Sequence, residues 1–422
     1  MEKSLRQPSY HLFPATYEKN IKPEISSAKG AFLNSIDGRS YLDTSLGAGS
    51  QIFGHADDDI NEAVKKQLSN GSIYLRNSSQ IHFLCQTLVE VLPNTQNNFV
   101  FCNSGTEASQ RAIRIARAAT GKDHIGYFQG GWHGINEWTL SDDGSRFGNN
   151  KKKLQDGIPK LVKDHSIVIP YNVEESFDVL EHNANNLAAI IIEPVQGSNP
   201  RDDIVPFLKE LQKFCKRHEI LLIFDEIITG FRLCIGGASG KWKLEPDIVT
   251  YGKILGGGLP VGLVSCTDEI ADRTFRAQDK NILTGGTFSA NPLVASASVA
   301  VIQKLRYVDY NYIDNLGLLL RSNLNAYFES EDLPFSFIGV GSISRLAFTN
   351  LPFRNRDERD KLEFKEGFQQ IFRQNLLEMD VLWPANGITF TSFCHSYEQI
   401  NGLCGKIKEA IRKIGSNNEL KP

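Results

Sequence analysis

Short apolar runs that alternate with longer helical segments most constrain how this chain can fold. Helical segments such as Thr106–Thr120 and Ile204–His218 separate several of these runs. Runs that are apolar on successive positions are typical of strands buried on both faces, as in parallel sheets covered by helices. The pattern therefore predicts an α/β fold with a mostly parallel sheet sandwiched by helices. The predicted strands are NFVFCN (98–103), HIGYF (124–128), SIVIP (166–170), AAIIIE (188–193) and ILLIFD (220–225).

The character of the sequence changes twice along the chain, and these changes predict the domain organisation. Residues 1–56 are irregular apart from a hairpin signal at Asp37-Gly38. Residues 57–303 carry the alternating pattern, whereas residues 304–422 mix helical and strand patterns. We expect a large domain at 57–303, a smaller α+β domain at 304–422 and an N-terminal segment at 1–56 that packs near the small domain. The long polar stretch 142–160 is expected to be a surface loop that closes over a site.

Charge, the length of the apolar runs and the use of cysteine argue against several classes of protein. Lys and Arg number 46 and Asp and Glu 49, so the net charge is −3 and no basic excess points to nucleic acid. No apolar run is long enough for a transmembrane helix, and the N-terminus lacks the apolar core of a secretory signal. The seven cysteines are scattered without a CxxC pair, so we expect no disulfide framework, no metal site and a cytoplasmic location.

The stretch NSGTEA, Asn103–Ala108, follows one predicted strand and opens a helix. Backbone N–H groups and hydroxyls of Ser104, Gly105 and Thr106 would lie at the helix N-terminus. Unsatisfied donors and the helix dipole favour an anion at such a place. The alternative is an ordinary N-cap, with Thr106 capping and Glu107 in the first turn, and on this motif alone it is the better explanation.

Asp225 stands at the carboxyl end of a strongly apolar strand, in ILLIFDEIITGFR (220–232). Ligands of open α/β sheets bind at that edge. A carboxylate there needs a partner, because burying a lone charge is costly. The alternative is an aspartate that caps a helix or forms an ion pair.

Lys253 lies among glycines in YGKILGGGLPVG (251–262). Glycines let the backbone approach a ligand closely. An amine in a crowded, partly desolvated pocket suits Schiff-base chemistry, because burial lowers the pKa of an amine. The alternative is a glycine-rich turn with an incidental lysine.

An anion site at a helix start, an aspartate at a strand end and a lysine among glycines are what a pyridoxal-phosphate site needs. The chain resembles the class III, fold type I, aminotransferases from about Gly30 to its C-terminus, and among them the glutamate-1-semialdehyde aminomutase group. The resemblance implies a fold type I PLP-transferase, pyridoxal 5'-phosphate as cofactor and a homodimer with shared active sites. The matching stretches are NSGTEA, GGWHG, IIEPVQG, LLIFDEIITGFR, YGKILGGGLPVG and GGTFSANP.

The resemblance also implies roles for single residues. Lys253 would form the Schiff base and move the proton between the substrate Cα and the cofactor C4′. Asp225 would pair with the pyridinium nitrogen, Ile227 would press on one face of the ring, and Trp132 would stack on the other, where the family often has Tyr or Phe. The phosphate would be held by Ser104, Gly105 and Thr106.

Three further positions follow from the same resemblance. Thr287, in GGTFSANP, would reach the phosphate of the neighbouring subunit, and the N-terminal segment would pack near that subunit. His133 is either an oriented structural histidine or a substrate contact. Glu193 would support the site from a strand end.

Departures from the aminomutases bear on the substrate. Their pocket tryptophan aligns with Ala48 and their active-site glutamate with Gly387. Their carboxylate-binding arginine has no counterpart, although Lys19 or Lys22 could substitute. A roomier, less charged pocket without a bidentate arginine predicts an aminotransferase for a bulkier carbonyl acceptor, such as a keto-sugar or a biosynthetic ketone or aldehyde.

Other functions remain open on the same scaffold. The alternatives are glutamate-1-semialdehyde 2,1-aminomutase, a PLP racemase or decarboxylase, and a non-catalytic binding protein. A nucleotide-binding protein is excluded, because the sequence has no GxxxxGK[ST] or strand-linked GxGxxG motif.

Overall fold

A computed structural model describes residues 23–93, 95–140, 157–363 and 366–415. Residues 142–156 of the predicted loop 142–160 lie outside the described residues. Lys19 and Lys22 lie outside them as well. No helix within the described ranges is both long and apolar enough to cross a membrane.

A seven-stranded sheet forms the centre of the molecule, in the order β4-β10-β9-β8-β7-β5-β6. Only β10 runs antiparallel to its neighbours, so the sheet is mostly parallel, and the predicted α/β class is confirmed. The strands are β4 (Asn98–Cys102), β5 (His124–Phe128), β6 (Ser166–Ile169), β7 (Leu187–Ile192), β8 (Leu221–Asp225), β9 (Ile248–Gly252) and β10 (Gly262–Cys266).

Both faces of this sheet are buried under helices, as the continuous apolar runs require. Every residue of β7 and β8 is buried. Ile191 and Ile223 face one core, whereas Ile190 and Leu222 face the other. The helices of this part are α2 (Asp58–Ser69), α3 (Ser79–Val91), α4 (Gly105–Thr120), α5 (Lys160–Asp164), α6 (Glu175–Asn183), α7 (Val205–Arg217), α8 (Gly237–Trp242), α9 (Asp268–Arg273) and α10 (Pro292–Leu305), with 3₁₀ turns at Glu137–Thr139 and Lys253–Gly256.

Two smaller sheets and further helices make up the rest of the fold that the structure describes. The first sheet has the order β1-β2-β3-β13 and the second β11-β12-β14. Because β13 pairs with β3, the N-terminal strands are joined to the C-terminal part of the chain. The division at residues 56 and 303 stays a prediction. The elements are β1 (Ile25–Lys29), β2 (Phe32–Ser35), β3 (Ser40–Asp43), a single turn α1 (Leu46–Gly49), α11 (Tyr310–Ser330), β11 (Ser336–Val340), β12 (Ile343–Ala347), α12 (Arg356–Leu362), α13 (Glu366–Glu378), β13 (Val381–Leu382), β14 (Ile388–Phe390) and α14 (Tyr397–Gly415).

The direction of the parallel strands places the predicted site residues together. Trp132 and His133 follow β5, Glu193 follows β7, Asp225 ends β8 and Lys253 follows β9. The carboxyl ends of parallel strands meet at one edge of a sheet, which is where such folds bind ligands.

Candidate active site

A cavity of about 400 Å³ lies at this edge of the sheet. Its size is within the range of small-molecule and cofactor sites. Eight residues singled out from the sequence lie on its wall, namely Ser104, Gly105, Thr106, Trp132, His133, Asp225, Ile227 and Lys253, and Glu193 lies there too.

The Asp225 carboxylate is buried and accepts three hydrogen bonds. The Nδ1 of His133 lies 2.7 Å from Asp225 Oδ2. Asp225 Oδ1 accepts from the backbone N–H of Ile227 at 3.1 Å and from the hydroxyl of Thr250 at 3.3 Å. Three donors stabilise the ionised carboxylate, and a carboxylate can only accept, so Nδ1 of His133 carries the proton of this pair.

His133 has a second ring nitrogen that is also buried. Within the described residues, Nε2 of His133 has no hydrogen-bond partner. The side-chain hydrogen bond of the ring within the described residues is therefore with Asp225. This contact fits an oriented structural histidine better than a substrate contact, the other role considered from the sequence. The role of His133 stays a prediction.

Lys253 begins the 3₁₀ turn that follows β9, and it lies on the cavity wall. Strand β9 is the neighbour of β8, which ends at Asp225. Its φ is +44°, a left-handed value that is uncommon for a residue with a Cβ. Such values cluster at functional sites, where the surrounding structure holds them in place. Lys253 and Asp225 thus reach one cavity from adjacent strands.

The N-terminus of α4 forms another part of the wall. Ser104 is its N-cap, and its Oγ accepts from the N–H of Glu107 at 3.2 Å. The next N–H groups, of Gly105 and Thr106, have no partner within the helix, as at every helix start. These donors, together with the dipole of a 16-residue helix, are the groups that the predicted anion site requires.

Two glycines keep this part of the cavity open. A Cβ at Gly134 would lie 2.3 Å from the hydroxyl oxygen of Thr106. A Cβ at Gly105 would lie 3.1 Å from Cδ1 of Ile227. Larger residues at either position would push into the space in front of the helix.

Glu193 supports the loop that carries the aromatic residue. Its Oε2 accepts from the backbone N–H of Trp132 at 3.1 Å, and its Oε1 accepts from the N–H of Gly197 at 3.4 Å. Glu193 therefore ties the loop after β7 to the loop after β5. This contact fits the supporting role expected of it.

Three predicted residues are not on the cavity wall of the single chain. Ala48 is exposed in α1, and Thr287 is exposed in the segment before α10. Gly387 is buried in the turn before β14, where a Cβ would lie 3.7 Å from Nη1 of Arg345. Their roles stay predictions.

The structure adds wall residues that motif reasoning missed, among them Ser50, Asn103 and Ser109. Thr250 was missed as a partner of Asp225, although strand register contains the information. Residue 250 pairs directly with residue 225 across β8 and β9. Locating the carboxyl end of β9 would therefore have identified Thr250 as a neighbour of Asp225.

The residues present fit pyridoxal phosphate. A buried, oriented carboxylate suits a protonated ring nitrogen, Ile227 and Trp132 line the cavity where a ring needs two faces, and the glycine-flanked helix start suits a phosphate. Lys253 supplies the amine. No cluster of His, Cys, Asp and Glu suitable for a metal ion occurs among the described residues. The fold and the site together define a pyridoxal-phosphate transferase of fold type I.

Comparisons with known proteins agree with this class. The class-III aminotransferase family matches residues 14–365. The glutamate-1-semialdehyde 2,1-aminomutase of Methanothermobacter thermautotrophicus is 34% identical over 397 residues, 92% of this chain and 91% of the relative. The chain belongs to the class-III aminotransferases. It is a pyridoxal-phosphate-dependent transaminase by family.

Solved structures show the same fold. An omega-transaminase from Sphaerobacter thermophilus has a TM-score of 0.87 at 26% identity, over 96% of this chain and 94% of that one. A transaminase with PLP bound has a TM-score of 0.85 at 24% identity, over 98% and 96%. The predictions of family, fold class, cofactor and enzyme type are confirmed.

Proposed function

We propose that the chain moves an amino group from an amino donor to a carbonyl acceptor bulkier than a small semialdehyde. The observation that carries the catalytic assignment is the buried Asp225 carboxylate, oriented by His133 at 2.7 Å in the cavity that Lys253 also lines. Asp225 and Lys253 are the catalytic pair of this proposal.

Pyridoxal phosphate, when bound, holds the substrate nitrogen covalently and withdraws electrons from the substrate Cα. Asp225 would pair with the ring nitrogen and stabilise its positive charge, because three hydrogen bonds fix the orientation of its carboxylate. Lys253 Nζ moves the proton at the substrate Cα. The N-terminus of α4 holds the phosphate and thereby orients the ring.

The composition of the cavity wall supports a bulkier, less acidic acceptor. Among the described residues on that wall there is no arginine, so a bidentate anchor for a small carboxylate is missing from this part of the chain. The wall also carries Glu193 and Asp225, which disfavour a second negative charge near them.

A second candidate is the aminomutase reaction itself. The relatives at 34% and 33% identity bear the name glutamate-1-semialdehyde 2,1-aminomutase, over more than nine-tenths of this chain. This likeness favours a small semialdehyde as the substrate. It is the alternative that the experiment below separates from the first.

We also propose that the working unit is a homodimer. The segment before α10 carries Thr287 on the surface together with large apolar side chains, since Leu283 is 78% and Phe288 58% exposed. Exposed apolar groups of this kind mark interaction surfaces. A cytoplasmic location, expected from the cysteines, stays a prediction.

The test is a substrate comparison with the purified, cofactor-loaded protein. Amino donors are screened by loss of the visible absorption band of the lysine-bound cofactor, and acceptors by its return. We expect keto-sugars or bulky ketones to restore the band faster than small keto acids. Efficient conversion of glutamate-1-semialdehyde to 5-aminolevulinate would instead establish the second candidate.

A further inference from the structure

Arg232 is a fully buried arginine that the proposed chemistry does not use. It is 0% exposed and lies on the segment that follows β8 and carries Ile227. Its Nη2 donates to the carbonyl of Gly49 at 2.5 Å, and its Nη1 donates to Ser342 Oγ at 3.2 Å and to the carbonyl of Thr391 at 3.3 Å. One guanidinium therefore joins the large sheet, the N-terminal segment and the C-terminal part of the chain.

These acceptors do not neutralise the charge of Arg232. Within the described residues all of them are neutral oxygens, and burial lowers the pKa of Arg232 to about 10. A buried charge without an ionic partner is costly, and well-packed apolar replacements of such groups are often neutral or stabilising. A contribution to the stability of the fold therefore does not explain why an arginine occupies position 232.

The turn that Arg232 holds is strained. Leu46, Gly47, Ala48 and Gly49 have φ values of +47°, +61°, +55° and +84°. Left-handed backbone is costly for an ordinary L-residue, so Leu46 and Ala48 both carry strain. Such a turn persists only where its surroundings hold it.

Gly49 is clamped between two side chains. The Arg232 guanidinium binds its carbonyl and lies 4.8 Å from the ring centre of Phe390. A Cβ at Gly49 would lie 2.9 Å from Cε1 and Cζ of the same ring. The guanidinium and the ring together fix where the turn ends.

The end of this turn meets the cavity. Ser50, the next residue, lines the cavity. A Cβ at Gly258, another wall residue, would lie 2.9 Å from Nε2 of Gln51. Gly258 belongs to the glycine-rich loop that follows Lys253. A shift of α1 would therefore move the part of the cavity wall that Ser50 forms and disturb the lysine loop.

We propose that Arg232 is a positioning residue that holds the left-handed α1 turn against the cavity and so sets the size and shape of the substrate space. The proposal rests on the proposed function, because it assigns that space to a substrate. Arg232 acts through Gly49 and Ser50 and touches no residue assigned to the cofactor.

The test replaces the guanidinium without emptying its site. In Arg232→Met, we expect amide exchange at Ala48–Gln51 to accelerate by about tenfold or more, because the turn loses its anchor. We expect the visible band of the bound cofactor to stay unchanged. The KM for the amino donor should rise by about tenfold while kcat changes less, since uniform binding is lost.

Arg321→Met is the matched control. Arg321 also donates to neutral oxygens, of Gly341 at 2.8 Å and Ser344 at 2.7 Å, but it does not contact α1. We expect it to leave the exchange of Ala48–Gln51 and the KM unchanged. Equal effects of the two variants would overturn the proposal, because they would indicate a general loss of packing.

Strain relief gives a second, independent readout. Glycine accepts a φ of +55° without the cost that Ala48 bears, so Ala48→Gly should slow the exchange of the turn more in Arg232→Met than in the parent. Strictly additive effects would contradict the proposal, as would unchanged exchange and KM in Arg232→Met. If the parent protein fails to bind pyridoxal phosphate, the proposed function fails, and the exchange measurements still decide the role of Arg232.

Discussion

His133 Nδ1 lies 2.7 Å from Oδ2 of Asp225, and both side chains are buried. Hydrogen bonds to a charged group contribute about 1.5–3 kcal/mol. Replacing His133 by Phe keeps a ring of similar size and removes the donor. We expect cofactor affinity or kcat to fall by about 10- to 100-fold, because Asp225 loses one of three donors. Spectral titration with pyridoxal phosphate, followed by single-turnover kinetics, measures both.

Asp225→Asn is the comparison for that variant. The amide cannot stabilise a protonated ring nitrogen as a carboxylate does, so its loss should exceed that of His133→Phe. If His133→Phe matched the parent in both affinity and rate, the histidine would not orient Asp225 in any functional sense.

Gly134 tests the phosphate end of the cavity. Its φ is +82°, and an added Cβ would lie 2.3 Å from Thr106 Oγ1 and 2.7 Å from Thr106 Cα. We expect Gly134→Ala to weaken pyridoxal-phosphate binding by at least about tenfold, because the start of α4 must move. Equilibrium dialysis of the apoenzyme measures the change.

Gly38 provides a control with the same backbone strain and no clash. Its φ is +85°, and an added Cβ would meet nothing within 4 Å. Gly38→Ala should lower the free energy of unfolding by about 1–2 kcal/mol and leave cofactor affinity unchanged. Comparable losses of affinity in the two variants would mean that strain, and not the geometry of the phosphate site, causes the effect.

His395 makes the stability of the fold depend on pH. Burial lowers its pKa to about 4 from 6.5, against a smaller opposing effect of Asp43. The unfolded chain binds a proton at His395 below about pH 6.5, whereas the folded chain does so only near pH 4. The stability contributed by the neutral ring is thus complete above pH 6.5 and is lost as the pH falls toward 4, by up to about 3 kcal/mol.

A variant isolates this contribution from that of the carboxylates. Nδ1 of His395 accepts from the N–H of Ser392 at 3.2 Å, and the side-chain oxygen of Asn can replace it as an acceptor. In urea unfolding between about pH 7 and pH 4.5, the parent should lose about 2 kcal/mol more than His395→Asn. Parallel losses in the two proteins would refute the assignment.

Much of the site was predictable from the sequence because strand direction brings it together. Asp225, Glu193, Trp132 and Lys253 follow four different strands, and parallel strands deliver their carboxyl ends to one edge. Local motifs therefore sufficed to locate the cavity. Thr250 required strand register, which a single sequence does not specify residue by residue.

Other features depend on contacts between distant parts of the chain. Nothing around Arg232 in the sequence indicates that its guanidinium binds Gly49, 183 residues away. Gly47 and Gly49 indicate left-handed backbone in the sequence, but the positive φ values of Leu46 and Ala48 are not indicated by their residue types. Ala48, which the sequence alignment placed in a substrate pocket, is exposed in the single chain. Its exposure depends on how α1 packs, which the sequence does not specify.

The most direct test of the account locates the covalent attachment of the cofactor. The protein is loaded with pyridoxal phosphate, reduced with borohydride, digested and analysed by mass spectrometry. We predict that the phosphopyridoxyl group is found on Lys253 and that Lys253→Ala neither retains it nor turns over substrate. A modified lysine elsewhere in the chain, or the absence of any modified lysine, would contradict the assignment of this cavity as the active site.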